Sequence, residues 1–260
     1  QEEFYVFDDL LAAKKVTSTD VSFAIPRRNW TTGTVYDYYR HDYGNRITGG
    51  TSTQTASSGA TSLWDSTFYV VTDDYNVYKC IDNDNGTAST VKPTGTLSTI
   101  ITLGDGYQWK YMYTLSASQQ VNFLSTDFMA VATNSTVSSA AVDGAINKVK
   151  IKTAGSGGTN GTHANINIRG DGSSGKVSVT IAGGAVTAVT VTAAGTGYTY
   201  GYIRVADINS AGGGMGGGDF DYWSEFSRIK KEAVFDSLFF YGYFFYGYFF
   251  MEIFTVNWNW

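Results

Sequence analysis

The sequence predicts a mainly β fold with short helices and an inserted small pseudo-repeat β domain. Three observations lead there. Charged residues make up only 16% of the 260-residue chain, whereas long helices draw on Glu, Lys and Arg. Aromatics reach 16%, most of them Tyr and Phe, and such residues favour strands. Short runs of period-2 alternation recur, and one of them returns forty residues later.

Residues 3–15 place Phe4, Phe7, Leu10 and Leu11 at helical spacing, with Lys14 and Lys15 where cations suit the helix dipole, so one short amphipathic helix is expected. Ser18, Thr19 and Asp20 punctuate it, Val21 and Phe23 alternate about Ser22, and Pro26 closes the segment. Residues 31–63 are rich in Tyr, Gly, Thr and Ser and lack aliphatic periodicity. They predict a long extended arm, which is characteristically functional or ordered by a partner. The runs 68–71 and 77–81, separated by Thr72-Asp73-Asp74-Tyr75-Asn76, predict a hairpin. Asp82-Asn83-Asp84-Asn85-Gly86 then has the chemistry of a polar turn. A calcium loop is the weaker reading, because the twelfth position is Pro93 rather than a bidentate Glu.

Residues 109–115 alternate as a strand, 116–124 suit a short helix capped by Ser116 or Ser118, and 128–133 suit another strand. Residues 149–159 then recur as 189–199, each copy a period-2 strand running into Ala-Gly-x-Gly. Further strands are expected at 165–169, 176–181 and 185–192, with Gly183-Gly184 as a two-residue hairpin turn. The organisation expected is therefore a body at 1–144, the inserted repeat domain at 145–208, a Gly-rich joint and return segment at 209–235, and an atypical aromatic tail at 236–260. Gly212 to Gly218 has the composition of a flexible joint. The tail reads as an altered or mis-assigned terminus rather than a membrane span, because Tyr would lie throughout the lipid core instead of at its interfaces.

Composition also excludes. A net charge of −5, with no Lys/Arg run longer than two, is unlike a general nucleic-acid binder. The lone Cys80 permits no disulfide within the chain and no thiolate zinc site. The two histidines, His41 and His163, have no ligand set around them, so no metal is expected. No Gly-x-Ser-x-Gly elbow leads from a strand to a helix, and nothing in the spacing selects Asp105 and Glu225 as a glycosidase pair. The expectation is a protein with no catalytic residue, cofactor or small-molecule substrate. The sequence starts without Met or a secretory pattern, which predicts a fragment, and the single cysteine predicts synthesis in the cytosol. Asn29, Asn85, Asn134 and Asn160 head sequons of the kind a Ser- and Thr-rich chain generates by chance.

Two segments stand out: Ile25-Pro26-Arg27-Arg28-Asn29-Trp30 and Gly104-Asp105-Gly106-Tyr107-Gln108-Trp109-Lys110-Tyr111. They combine loop residues with large aromatics that a solvated loop would not carry, so they are expected to pack against something. In the arm, Tyr36, Tyr38, Tyr39 and Tyr43 suit an interface better than a core. With Tyr69, residues 77–81 and Phe128-Met129-Ala130-Val131 in the same order, the two segments resemble the baseplate wedge subunit of T4-like contractile-tailed phages, the gene product eight family. Residues 91–95 and the Ala-Gly-x-Gly insert are similar to its cyanophage-type version.

The resemblance covers residues 3–210 and implies a two-layer β-sandwich body in a non-enzymatic structural protein. It implies a homodimer bound to other baseplate wedge proteins, in the virion tail after assembly in the host cytoplasm. Ile25, Pro26, Arg27, Arg28, Trp30, Tyr36, Tyr38, Tyr39, Gly104, Asp105, Gly106, Tyr107 and Trp109 then become the signature and interface candidates. The alternative is a carbohydrate- or receptor-binding β protein of a phage tail that uses Tyr198 and Tyr200. A tail-associated glycan hydrolase is a more distant third.

Overall fold

A computed structural model describes residues 15, 17–39, 56–62, 64–151, 154–198 and 201–216, and the strand backbone at 221–222, 226–228, 239–245 and 248–254. The expected helix at 3–15 and most of the arm lie outside the described residues. The chain is mainly β, as expected.

The body is built from β1 (Ala24–Pro26), β2 (Tyr69–Val71), β3 (Asn76–Asn83), β4 (Ile100–Thr102), β5 (Tyr107–Thr114) and β6 (Phe128–Ala130). Strands β2-β3-β5-β4 form an antiparallel sheet, and β1 pairs with β6 as a separate ribbon. The expected hairpin at 68–81 is present, with Tyr69 opposite Lys79 and Val71 opposite Val77. Both faces of the sheet are covered. Val70, Tyr78, Cys80, Tyr107, Trp109 and Tyr111 pack with Tyr36 and Val137. Val71, Val77, Met112 and Tyr113 pack with Met129 and Ala130 of the ribbon.

That layering is sandwich-like, and a bulge makes it possible. Val77 opposes Tyr113 while Tyr78 opposes Tyr111, which leaves Met112 as an extra residue in β5. An extra residue reverses the alternation beyond it, so Tyr111 and Tyr113 belong to opposite cores. Helix α1 (Ala117–Phe123) starts where the sequence placed it: Ser116 accepts from the Gln119 amide and the Gln119 side chain accepts from the Ser116 amide. Helix α2 (Ser135–Ala140), capped by Asn134, buries Val137.

The inserted unit contains β7 (Ile146–Val149), β8 (Gly161–Asn167), β9 (Arg169–Gly170), β10 (Lys176–Ala182), β11 (Ala185–Ala193), β12 (Gly201–Arg204) and α3 (Val205–Ser210). Strands β11-β10-β8 form one sheet, and Gly183-Gly184 turns β10 into β11 with Ala182 opposite Ala185. One core runs from Ile146 to Met215. The first repeat's strand, β7, ends at Val149, with Lys150 and Ile151 outside it; it pairs with β14 (Phe226–Arg228, after β13 at Asp221–Tyr222), Phe226 opposite Val149 and Arg228 opposite Ile146.

The glycines of the two Ala-Gly-x-Gly turns share the same left-handed φ values. Gly155 and Gly157 have φ of 67° and 72°, and Gly195 and Gly197 have 65° and 73°, values that glycine reaches without a Cβ penalty. The turns are bonded reciprocally. The Val186 amide donates to Ala154 O at 2.8 Å, and its counterpart Ile146 donates to Ala194 O at 2.9 Å. The Gly158 amide donates to Gly184 O at 2.8 Å, and its counterpart Tyr198 donates to Gly144 O at 3.2 Å. Each turn is therefore closed by the strand start of the other repeat.

The Gly-rich stretch differs from a flexible joint over its described part. Met215 is buried, its amide and carbonyl are both bonded to the Asn209 side chain, and a Cβ on Gly213 would lie 2.4 Å from Ile208. Here glycine serves close approach to α3. In the tail, β15 (Phe239–Phe245) and β16 (Tyr248–Phe254) pair as an antiparallel hairpin. Among the described residues no helix is long and apolar enough to cross a membrane.

Candidate functional site

The two signature segments, eighty residues apart in sequence, meet across one side of the body. Ile25 and Pro26 lie in β1 opposite Met129 and Phe128. Arg27 ties the segment down: its amide donates to Asp127 O, Nη1 to Ser125 O and Nε to Asn29 Oδ1. The Arg28 carbonyl accepts from the Val71 amide at 2.8 Å, and the Trp30 amide donates to Val71 O at 2.9 Å, so this stretch runs along the free edge of β2. Gly104, Asp105 and Gly106 form the turn from β4 into β5, closed by the Gly106 amide on Leu103 O.

Ser89 joins the two. Trp30 Nε1 donates to Ser89 Oγ at 3.1 Å, and that hydroxyl donates to Asp105 Oδ2 at 3.2 Å. The same carboxylate oxygen accepts from the amides of Thr90 at 2.8 Å and Val91 at 2.9 Å, and Oδ1 accepts from the Tyr107 amide at 3.2 Å. Burial pushes the Asp105 carboxyl up, but the amides of Val91, Thr90 and Tyr107 and the Ser89 hydroxyl together hold it below the usual carboxylate range. Asp105 thus organises three loops around a charge that accepts bonds.

Behind this turn stands an aromatic cluster. Trp109 stacks on Tyr107 at 5.6 Å and meets the Tyr36 ring edge-on at 5.6 Å. The Tyr36 amide donates to the Tyr107 hydroxyl, which donates in turn to Thr87 O. The Tyr36 hydroxyl accepts from the Thr31 amide at 2.6 Å and donates to Asn29 O at 3.2 Å. Burial pushes the Tyr107 hydroxyl up to about 12.

The placement corrects the interface expectation for Tyr36, Tyr107 and Trp109, none more than 2% exposed. They roof and fill the body core. The physical reason is that both faces of the sheet are covered, so the first residues of the arm serve as a lid and do not project. Tyr38 is half-buried, with the Lys150 ammonium 5.0 Å from its ring centre. The Tyr39 amide donates to Cys80 O, and its ring packs on Phe68. Tyr43 and residues 40–55 lie outside the described residues.

Three ionisable groups to which the sequence reading gave no structural role of this kind carry much of the architecture. Asp37 has no exposure and accepts from the Ser58 amide and hydroxyl and from the Thr67 amide, at 2.6 to 2.8 Å. It ties the start of the arm to Ser58 near the arm's end and to Thr67 just beyond it. Asp82 was expected in a polar turn with Asn83, yet both belong to β3 and are buried, and only Asp84–Gly86 forms a turn, of 3-10 type. Asp82 accepts Lys148 Nζ at 2.6 Å and also binds Lys150 Nζ. Burial pushes its carboxyl up, and the two ammonium groups outweigh that and hold it low.

Lys79 is the third. It lies opposite Lys110 in the ladder, and both are nearly buried. Its ammonium sits 3.7 Å from the Tyr39 ring centre, a cation–π contact. Burial, with the Lys110 charge adding to it, lowers Lys79 from 10.5 to about 7.

As chemistry, the arrangement binds backbone. The carboxylates of Asp37, Asp82 and Asp105 are occupied by amides, hydroxyls and ammonium groups, and Cys80 is buried. Among the described residues no cluster of His, Cys, Asp or Glu has the geometry to hold a metal ion. The residue nominated for glycan binding is also placed inside: Tyr198 is 3% exposed, accepts from the Gly175 amide and donates to Ile168 O. Tyr200 lies outside the described residues. No family model, curated protein or solved structure matches the chain.

Proposed function

We propose that the protein is a structural subunit of a bacteriophage baseplate wedge, which helps hold the tail baseplate together and transmits its rearrangement when the sheath contracts. The observation that supports this reading is the way the signature segments are used. Trp30, Ser89, Asp105, Tyr107 and Tyr36 form one continuous bonded scaffold, in which Asp105, Tyr107 and Tyr36 each hold backbone groups and Ser89 links Trp30 to Asp105. A part that passes force between neighbours needs a rigid body of this kind, with contacts made by other surfaces.

On this reading the partners are a second copy of the chain and other wedge proteins, and no catalytic residue or cofactor takes part. The contact surfaces then lie on exposed positions such as Val21, Phe23 and Phe128 around the ribbon, not on the buried signature aromatics. Mass spectrometry of purified phage tails and a low-resolution map of the baseplate test it. The expected result is the protein in the tail as a two-fold pair in each wedge. Absence from the tail, together with a monomer at micromolar concentration in light scattering, would overturn it.

A further inference from the structure

We infer that the open edge of β4 is the seat of a second copy of this chain, which pairs with it antiparallel about a two-fold axis beside Ile101. β4 is the last strand of the sheet β2-β3-β5-β4. The opposite edge, β2, is closed by the backbone of Arg28 and Trp30 bonded to Val71. Nothing among the described residues closes β4 in that way.

The Leu103 amide donates to Tyr107 O at 2.9 Å, and Ile101 lies opposite Trp109 and Ile100 opposite Lys110. Bonded and non-bonded pairs alternate along an antiparallel ladder. Ile101 therefore shares the bonds to β5 with Leu103, and Ile100 and Thr102 turn their amides and carbonyls away from the sheet. Among the described residues no loop or side chain bonds those groups. The polar contact made there, Gln108 Nε2 to Thr102 at 3.3 Å, is with the hydroxyl.

Sheet edges are commonly blunted by Lys, Pro or a bulge. Here residues 94–104 carry no ionisable side chain and no proline, and β4 pairs with β5 without a register shift. Thr99 and Thr102 are exposed, Ile100 and Ile101 are half-buried, and Leu97 is 72% exposed. The flanking charges are already engaged, Lys92 by Asp73 and Asp74, and Asp105 by the amides of Thr90 and Val91.

That chemistry fits a second copy. Across a two-fold axis any charge in the strand would meet itself, and like charges directly opposite destabilise a pair. This strand has none, although the chain carries a net charge of −5. An antiparallel copy presents the same free groups in reverse order, so Ile100 meets Thr102 of the partner subunit and each donor finds an acceptor. Ile101 then faces its own mate and extends the aromatic core around Trp109, against which it packs. The choice of occupant rests on the proposed function, which calls for a second copy. The ribbon around Phe23 and Phe128 is left to other partners.

The test follows the full chain by sedimentation at several protein concentrations, with amide exchange on the same samples. The wild-type Ile100 and Thr102 amides should gain at least about tenfold protection as the dimer forms, the size of one hydrogen bond. Ile101, already bonded to β5, should not change. That readout needs no variant. T102P removes only an outward amide, which an edge strand tolerates. The axis repeats the loss, so pairing should weaken roughly thirtyfold. A dimer that persists in T102P, or that forms without added protection at Ile100 and Thr102, overturns this edge and leaves the proposed function standing. A monomer at every concentration also overturns it, and mass spectrometry of phage tails decides the function separately. Protection that appears only when other tail proteins are added gives the edge to one of them and overturns the second copy.

Discussion

Replacing Lys79 with methionine is expected to stabilise the protein at pH 7 and to remove most of its gain in stability on going to pH 9.5. Lys79 is 5% exposed and faces Lys110, 7% exposed, across β3 and β5. No carboxylate is bonded to either ammonium among the described residues. Burial lowers Lys79 from 10.5 to about 7, so between those values the unfolded chain binds the proton more tightly than the folded one. The contribution of Lys79 to stability must then rise with pH across that window and be lowest at and below about pH 7. At about 1.4 kcal/mol per pH unit, the interval from pH 7 to 9.5 carries about 3 kcal/mol. That is a large share of the roughly 5–15 kcal/mol that holds a domain folded.

The upper limit is chosen for a reason. Tyr69 and Tyr113 are pushed up by burial, so above about pH 10 their ionisation in the unfolded chain opposes the trend. Methionine matches the buried stem without the charge. Urea denaturation of both proteins at several pH values across the window reads the difference directly. Parallel stability curves for wild type and K79M would refute the reasoning.

Other substitutions probe the remaining parts. D105A, which removes the acceptor for three amides and a hydroxyl, should cost about 3 kcal/mol in denaturant titration, at roughly 1 kcal/mol net per bond and with allowance for partial exposure. D82N leaves Lys148 and Lys150 without their shared carboxylate and should cost about 3 kcal/mol at pH 7. Because the Asp82 carboxyl is held low, that contribution is present above the ordinary carboxylate range and fades in wild type as pH falls below about 4. G144A places a Cβ 2.2 Å from the Tyr198 amide and should cost at least about 3 kcal/mol by thermal melting. G183A, in open space at similar φ, should cost only about 1 kcal/mol. Equal losses for the two glycine variants would count against the reciprocal turns.

The parts of the fold legible in the sequence are those that local chemistry decides. The hairpin at 68–81, the Ser116 cap and the Gly183-Gly184 turn depend on residues within a few positions of each other, and all three are present. Tyr36 was illegible because its environment comes from Tyr107 and Trp109, some seventy residues away. Period-2 alternation marked β5 but could not show the bulge at Met112, which appears only once β3 is paired with it. Lys79 and Lys110 carry the signature of solvated residues in any reading by composition. Their burial is a property of the assembled sheet. Lys148 in β7 and Lys150 just beyond it both reach Asp82, and nothing local in the sequence pointed to that carboxylate.

The reciprocal bonding of the two repeats governs how the inserted unit must fold. A forty-residue half has no partner of its own for the backbone groups of its turn, since Ala154 is completed by Val186 and Ala194 by Ile146. Neither half is then a stable intermediate, and the second must be made before the first gains anything from its glycines. Loop closure over some forty residues comes ahead of any reward in bonds, so the unit should assemble all at once and more slowly than the neighbouring Gly-Gly hairpin. Two covalently separate halves, mixed in solution, should recover the same pairing as a heterodimer.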